Sequence, residues 1–191
     1  MKLYRILILT AAILLGFSGC KKEKLQTIDY FPNIESAPDI QIDNVKSLYF
    51  SNSKIKIKIT APQSAYYFKN RRNPHMEFPK GLIAVFYDDN MKPISTIKAD
   101  NAIYYQRNKL WKIAGNVEVV NQSGAKLRTQ ELYYDEDKER LFSIKFVEVQ
   151  DTSGSIIRGK GGFVSNLQFT NYQFKNVDGI IVTYQNITPN E

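Results

Sequence analysis

One cysteine (Cys20) and one histidine (His75) stand in 191 residues. Metal sites of the Cys/His type need clustered ligands and disulfides need pairs, so neither chemistry is available within the chain. His75 sits in a polar, Pro-bearing stretch beside Arg71 and Arg72, and one His without such ligand partners reads as a surface residue of a loop. No Walker-type phosphate loop, no Gly-x-Ser-x-Gly elbow and no pair of carboxylates on a credible scaffold is present. A non-enzyme without cofactor or metal is therefore expected. Charge is the remaining chemistry. The 26 Lys and Arg exceed the 19 Asp and Glu, a formal +7 that favours an anionic partner or surface only weakly. Lys98, Arg128 and Arg158 recur at 30-residue spacing, and Glu118, Glu148 and Asp178 do the same. The two columns are expected to neutralise each other across strands on a solvated face. Lys54, Lys56 and Lys58 have no acid between them, which suits either an anion or the guarding of an edge strand. The basic residues do not cluster with stacking aromatics, so nucleic acid is not expected as a partner.

Cys20 gains meaning from what precedes it. Lys2 and Arg5 form a basic start, and residues 6–15 are apolar except for Thr10. That run is shorter than the roughly 20 residues a membrane span needs, but it suits a secretory signal. Ser18 and Gly19 come just before Cys20, which resembles the lipobox of bacterial lipoproteins. The resemblance implies a signal peptide over residues 1–19 and acylation of Cys20, which becomes the mature N-terminus and leaves no free thiol. The alternative is a plain signal peptide with an incidental Cys. Residues 20–44 are polar, carry Pro32 and Pro38, and read as a tether.

From Val45 the period is 2. Ile55, Ile57 and Ile59 alternate with Lys56 and Lys58, as in a half-buried strand. Apolar runs end in Asp88-Asp89-Asn90, Asn121-Gln122-Ser123-Gly124 and Asp151-Thr152-Ser153-Gly154, residues that supply the positive φ of hairpin turns. No stretch holds a 3.6-residue period. Ile97-Lys98-Ala99, Leu127-Arg128-Thr129 and Ile157-Arg158-Gly159 repeat every 30 residues, as do Val117-Glu118-Val119, Val147-Glu148-Val149 and Val177-Asp178-Gly179. A degenerate earlier copy starts at Ile59-Thr60-Ala61, with its insertion in a loop over residues 69–79. Such units cannot bury an apolar face alone, so stacked hairpins in two facing sheets are expected. The predicted fold is all-β, one domain over residues 45–184, with a tail over 185–191.

The units I-K-A-D-N-A-I-Y-Y and L-R-T-Q-E-L-Y-Y-D, each followed by a V-E-V and a Ser-Gly turn, resemble the OstA-type repeats of lipopolysaccharide transport proteins. With one N-terminal anchor and the late Gly159-Lys160-Gly161, the order of features is most similar to the LptC family. The likeness spans roughly residues 55–182. It implies an open, twisted β-jellyroll whose lumen shields the acyl chains of lipopolysaccharide. It also implies partners: an inner-membrane ABC transporter that supplies the lipid, and a homologous, LptA-like periplasmic bridge protein that takes it by edge-to-edge pairing. Many members carry a transmembrane helix where this chain has its lipobox. The expected location is the periplasmic face of the inner membrane, held by the lipid anchor.

The alternation puts Ile97, Ala99, Val117, Leu127, Thr129, Val147, Ile157 and Gly159 on one face. These are the candidates for a lipid lumen, and an ordinary filled sandwich core is the alternative. A filled core would go with a second function, an envelope lipoprotein that binds only protein. A stack of hairpins also leaves two free edges. Ile55, Ile57 and Ile59 are the candidates at one end, and Phe169, Phe174, Val177 and Ile181 at the other. Trp111 is expected in the core or as an interface anchor.

Overall fold

Branched and aromatic residues alternating with polar ones, interrupted by Asp, Asn and Gly, produce strand after strand. The computed structural model describes residues 37–69, 73–168 and 170–180, nearly all of them in the unit Pro38–Glu191. Cys20, Phe169 and Ile181 lie outside the described residues. The strands are β1 (Ile40–Ser51), β2 (Lys54–Tyr67), β3 (His75–Phe78), β4 (Leu82–Tyr87) and β5 (Pro93–Ala99). There follow β6 (Asn101–Tyr105), β7 (Leu110–Asn121), β8 (Lys126–Asp135), β9 (Arg140–Ser143) and β10 (Val147–Gln150). The last are β11 (Ile156–Gly159), β12 (Phe163–Asn166), β13 (Tyr172–Phe174) and β14 (Val177–Ile180). One 3-10 turn, Gln106–Asn108, joins β6 to β7.

Hydrogen bonding links all fourteen into one antiparallel sheet that bends into two layers. The long strands β1, β2, β7 and β8 run through the bend and serve both layers. In β7, Leu110 to Ala114 pair with β6, while Glu118 to Asn121 pair with β5. The bend falls at Gly115 and Asn116, both at positive φ, where the register with β8 shifts. A side chain at Gly115 would come within 2.9 Å of the Asp100 Cβ, so the close crossing requires glycine there. In β1 the bend falls at Asn44, opposite Pro62, which has no N–H to give. The first layer is ordered β1-β2-β4-β5-β7-β8-β10-β11-β14, and the second β1-β2-β3-β6-β7-β8-β9-β12-β13.

Two expectations are corrected here. The tether gives way to β1 already at Ile40, because Ile40 and Ile42 alternate with Gln41 and Asp43. The loop over residues 69–79 contains β3, whose Phe78 is among the most buried side chains. His75 is therefore a strand residue: its ring stacks on Tyr67 at 4.8 Å, and its Nε2 lies 3.2 Å from Glu77 Oε1. Four residues between prolines are too few for a periodic signal.

The repeat recurs in three dimensions at the hairpin turns. The Asn121 side-chain oxygen accepts from Ser123 and Ala125 N–H, as Asp151 does from Ser153 and Ser155. Gly124 and Gly154 then take φ of 88° and 91°. The earlier copy is built on Asp88, which accepts from Asn90 and Lys92 N–H, but its left-handed position is held by Met91 at φ 59°. A left-handed L-residue is strained by about 1–2 kcal/mol, partly offset by the chain entropy that glycine loses. Met91→Gly is expected to stabilise the protein by about 0.5–1 kcal/mol. Thermal unfolding checks this, and an unchanged or lower midpoint would contradict it.

Candidate functional site

The inner face of the first layer is two rows of side chains. One runs Ile59, Ala84, Ile97, Val119, Leu127, Val149, Ile157, and the other Ala61, Leu82, Ala99, Val117, Thr129, Val147, Gly159, Val177. All eight lumen candidates from the sequence fall in these rows. Ile97, Val117, Leu127 and Val147 are fully buried, and Ala99, Thr129 and Gly159 nearly so. Ile157, close to the end of the stack, is half-buried. Thr129 donates its hydroxyl to the Phe146 carbonyl at 2.8 Å, so burial leaves it satisfied.

The second layer presents Phe78, Trp111, Ile113, Leu132, Tyr134, Leu141 and Phe163. The layers meet where Phe86 stands edge-on to Tyr134, with ring centroids 5.3 Å apart. Among Ile57, Ile97, Phe86, Trp111 and Tyr134 only about 10 Å³ remains open, about the least that admits one water. The space between the layers is packed. Ile57, Phe86 and Tyr134 divide it from a cleft of about 580 Å³ at the rim opposite the bend, since they line both. Asp88, Asp89, Glu136 and Glu139 also line this cleft. A hydrogen bond also ties the layers across the rim: Asn121 Nδ2 donates to the Gln168 carbonyl at 2.7 Å.

Glu136 organises the aromatic side of the cleft. Its oxygens accept from Trp111 Nε1 at 2.8 Å and from the Tyr104 hydroxyl at 3.0 Å, and Tyr104 stacks on Trp111. Burial, then the Glu136 carboxylate, pushes the Tyr104 hydroxyl well above its ordinary range. Burial followed by Glu136 and Glu139 does the same to Tyr134. Both phenols stay neutral at any physiological pH and add no charge to the cleft.

The stack has two unlike ends. β2 is paired on both sides, by β1 and β4, so Ile57 and Ile59 are buried and Ile55 half-buried. They are not edge residues, which corrects the assignment made from the sequence. The edge is β1, which exposes Ile40, Ile42, Leu48, Tyr49 and Phe50. At the other end, among the described residues, β14 and β13 each pair on one side only. Val177 in β14 is 59% exposed. Phe174 in β13 turns inward onto Phe163 and over Gly159, whose absent Cβ would lie 2.3 Å from the ring. A residue 15 positions away in sequence thus covers the end of the second row.

On the outer face the charge columns form one alternating row, Lys98, Glu118, Arg128, Glu148, Arg158, Asp178. Arg128 reaches Glu118 at 3.1 Å, Arg158 reaches Glu148 at 2.9 Å, and Lys160 pairs with Asp178. The expected neutralisation across strands is what the ladder does. Lys56, thought to be without an acid, pairs with Asp89 from the β4–β5 turn.

Two bent layers with an apolar interior, a rim cleft and, among the described residues, an unpaired edge at each end define an open-ended β-jellyroll. The LptC family, described as lipopolysaccharide-assembly, LptC-related, matches residues 6–177, and the chain belongs to that family. The crystal structure of LptH, the LptA-homologous periplasmic component of the lipopolysaccharide transport device of Pseudomonas aeruginosa, is similar in fold. Its TM-score is 0.50 at 11% identity, covering 66% of this chain and 95% of that one. No curated protein matches the chain in sequence.

Proposed function

We propose that the chain is a lipid-anchored member of its family. Acylated at Cys20 on the periplasmic face of the inner membrane, it takes lipopolysaccharide from an inner-membrane ABC transporter and passes it to an LptA-like bridge protein. The acyl chains lie between the two layers, along the rows of Ile97, Leu127 and Ile157 and of Ala99, Val117, Thr129, Val147 and Gly159. The observation that carries this reading is the rim cleft, whose floor of Ile57, Phe86 and Tyr134 is also the wall of the inter-layer space. At about 580 Å³ it is in the size range of ligand sites. Entry requires the layers to part, which the Phe86–Tyr134 ring contact opposes and, among the described residues, one neutral hydrogen bond across the rim, Asn121 to Gln168. Such a bond is worth only about 1 kcal/mol net.

The filled interior favours a second reading, in which the jellyroll binds protein alone. A photoreactive phenylalanine analogue separates the two. Placed at Phe86 or Tyr134, where it replaces an aromatic ring, it is expected to yield a light-dependent lipopolysaccharide adduct in cells, and none when placed at the exposed Lys126 on the outer face. Bridge-protein binding without any adduct at Phe86 and Tyr134 would leave the protein-only reading.

A further inference from the structure

The outer row that carries the charge ladder changes character toward β1. Followed from Glu118 it runs Lys98, Ile83, Thr60, Lys46 on successive strands. Beside it, at the bend, lies a trough of about 760 Å³ in which Lys46, Lys80 and Lys98 surround an apolar floor with Pro62, Leu82 and Ile83. Ile83 is 43% exposed. Arg128 and Arg158 are held by carboxylates, whereas none of these three lysines has an ion-pair partner among the described residues. The one acid in the lining, Asp100, accepts from Asn116 Nδ2 at 2.7 Å and keeps its charge, so the three lysines outnumber it. A second trough, of about 730 Å³, shares Lys98 and Asp100 with it and reaches Lys145 and the exposed Phe146; Glu118 and Glu148 in its lining are paired with Arg128.

We propose that this face of the bend docks on the anionic phospholipid headgroups of a membrane surface. The lysine ammonium groups meet the phosphates while Ile83 and Phe146 reach the boundary with the acyl chains. Charge complementarity selects the occupant. Three lysines without an ion pair among the described residues stand around an apolar floor and exceed the one carboxylate there by two charges. Protein interfaces are depleted of lysine, whereas membrane-surface segments combine lysines with large apolar side chains. Long lysine stems lie along apolar surface and keep their charge at headgroup level. Lys46, Lys98 and Ile83 lie in the outer row, so docking there does not depend on lipid binding between the layers.

The test uses full-length protein in vesicles of phosphatidylcholine, with or without phosphatidylglycerol bearing a photoactivatable group near the glycerol, and residue-resolved mapping of the label. Label is expected at Ile83, Lys98 and Phe146 from phosphatidylglycerol. Each lysine changed to Glu should reduce it by at least about fivefold, as loss of one lysine's attraction predicts. Lys46→Arg, Lys80→Arg and Lys98→Arg should preserve it, and raised salt should weaken it in the wild type without any substitution. Labelling of residues 1–36 serves as the internal reference. Equal labelling from a phosphatidylcholine probe would overturn the proposal, as would salt-insensitive labelling or a folded Glu variant that labels like the wild type. Label confined to Leu132 and Tyr134 would do so too, because it would put the lipid between the layers.

Discussion

Gly159→Arg is expected to lower stability by about 2–3 kcal/mol and to expel Phe174 from its place over the end of the inner row. The position is buried, and even a Cβ would lie 2.3 Å from the Phe174 ring. Two outcomes compete. If the guanidinium stays between the layers it is an unpaired buried charge, costing several kcal/mol. If Phe174 swings out, the protein loses the burial of one aromatic side chain, about 1.5–3 kcal/mol, and the arginine follows the opened path to water. The second is cheaper and should prevail. For a domain of this size the unfolding midpoint then falls by about 4–12 °C. Phe174→Ala made in the Gly159→Arg background should cost little more, because the contact is already lost. If the two losses add to within about 0.5 kcal/mol, the residues are uncoupled and the placement of Phe174 is wrong.

Val177→Pro is expected to cut pairing with the proposed bridge protein by about tenfold or more while leaving the domain folded. Lys160 N–H donates to the Asn176 carbonyl, and Val177 stands opposite Gly159 in the same antiparallel register. Hydrogen-bonded and non-bonded pairs alternate, so the N–H of Val177 points away from β11, toward the free edge. Proline there removes a donor that an added strand would use, and its ring obstructs the approach. The internal ladder keeps its bonds. One lost hydrogen bond at about 1.4 kcal/mol gives the tenfold figure, and the ring adds to it. The same logic applies to Phe174, since Lys175 N–H donates to the Gly162 carbonyl. Capture of the bridge protein by the folded proline variant at wild-type strength would place its interface elsewhere, with β1 as the remaining free edge.

Asp178 shows how pH acts on this end of the stack. Its hydrogen bond to Lys160 holds the carboxyl below its ordinary range. A carboxyl lowered by folding supports the folded state above its unfolded pKa, and that support disappears as pH falls through the folded value. The support is therefore present at neutral pH and lost only in acid. Because the pair is exposed, its contribution is small and screened by salt.

Much of the molecule was legible in the residues because alternation is a local property. Ile97-Lys98-Ala99 and its two copies announce strands, state which side chains share a face, and give the 30-residue step that brings Lys98, Glu118, Arg128 and Glu148 into one row. The turns at Asn121 and Asp151 follow equally from Asn, Asp, Ser and Gly at fixed offsets. Even the missed start at Ile40 had an alternation to show.

What alternation cannot say is which strand ends up outermost or how tightly two faces close. Ile57 and Ile59 are interior because residues 40–51 add one more strand beyond them, an outcome of pairing at a distance. The same apolar rows would line an open lumen or a packed one. The choice was made by rings from the far layer, Tyr134 against Phe86 and Phe174 over Gly159, and by the Asn121–Gln168 contact across 47 residues. Period and composition determine the faces, because each side chain's direction depends on its own backbone and its neighbours'. Packing density, edges and rim closure depend on volumes and twist summed over fourteen strands, and only the assembled tertiary structure carries out that sum.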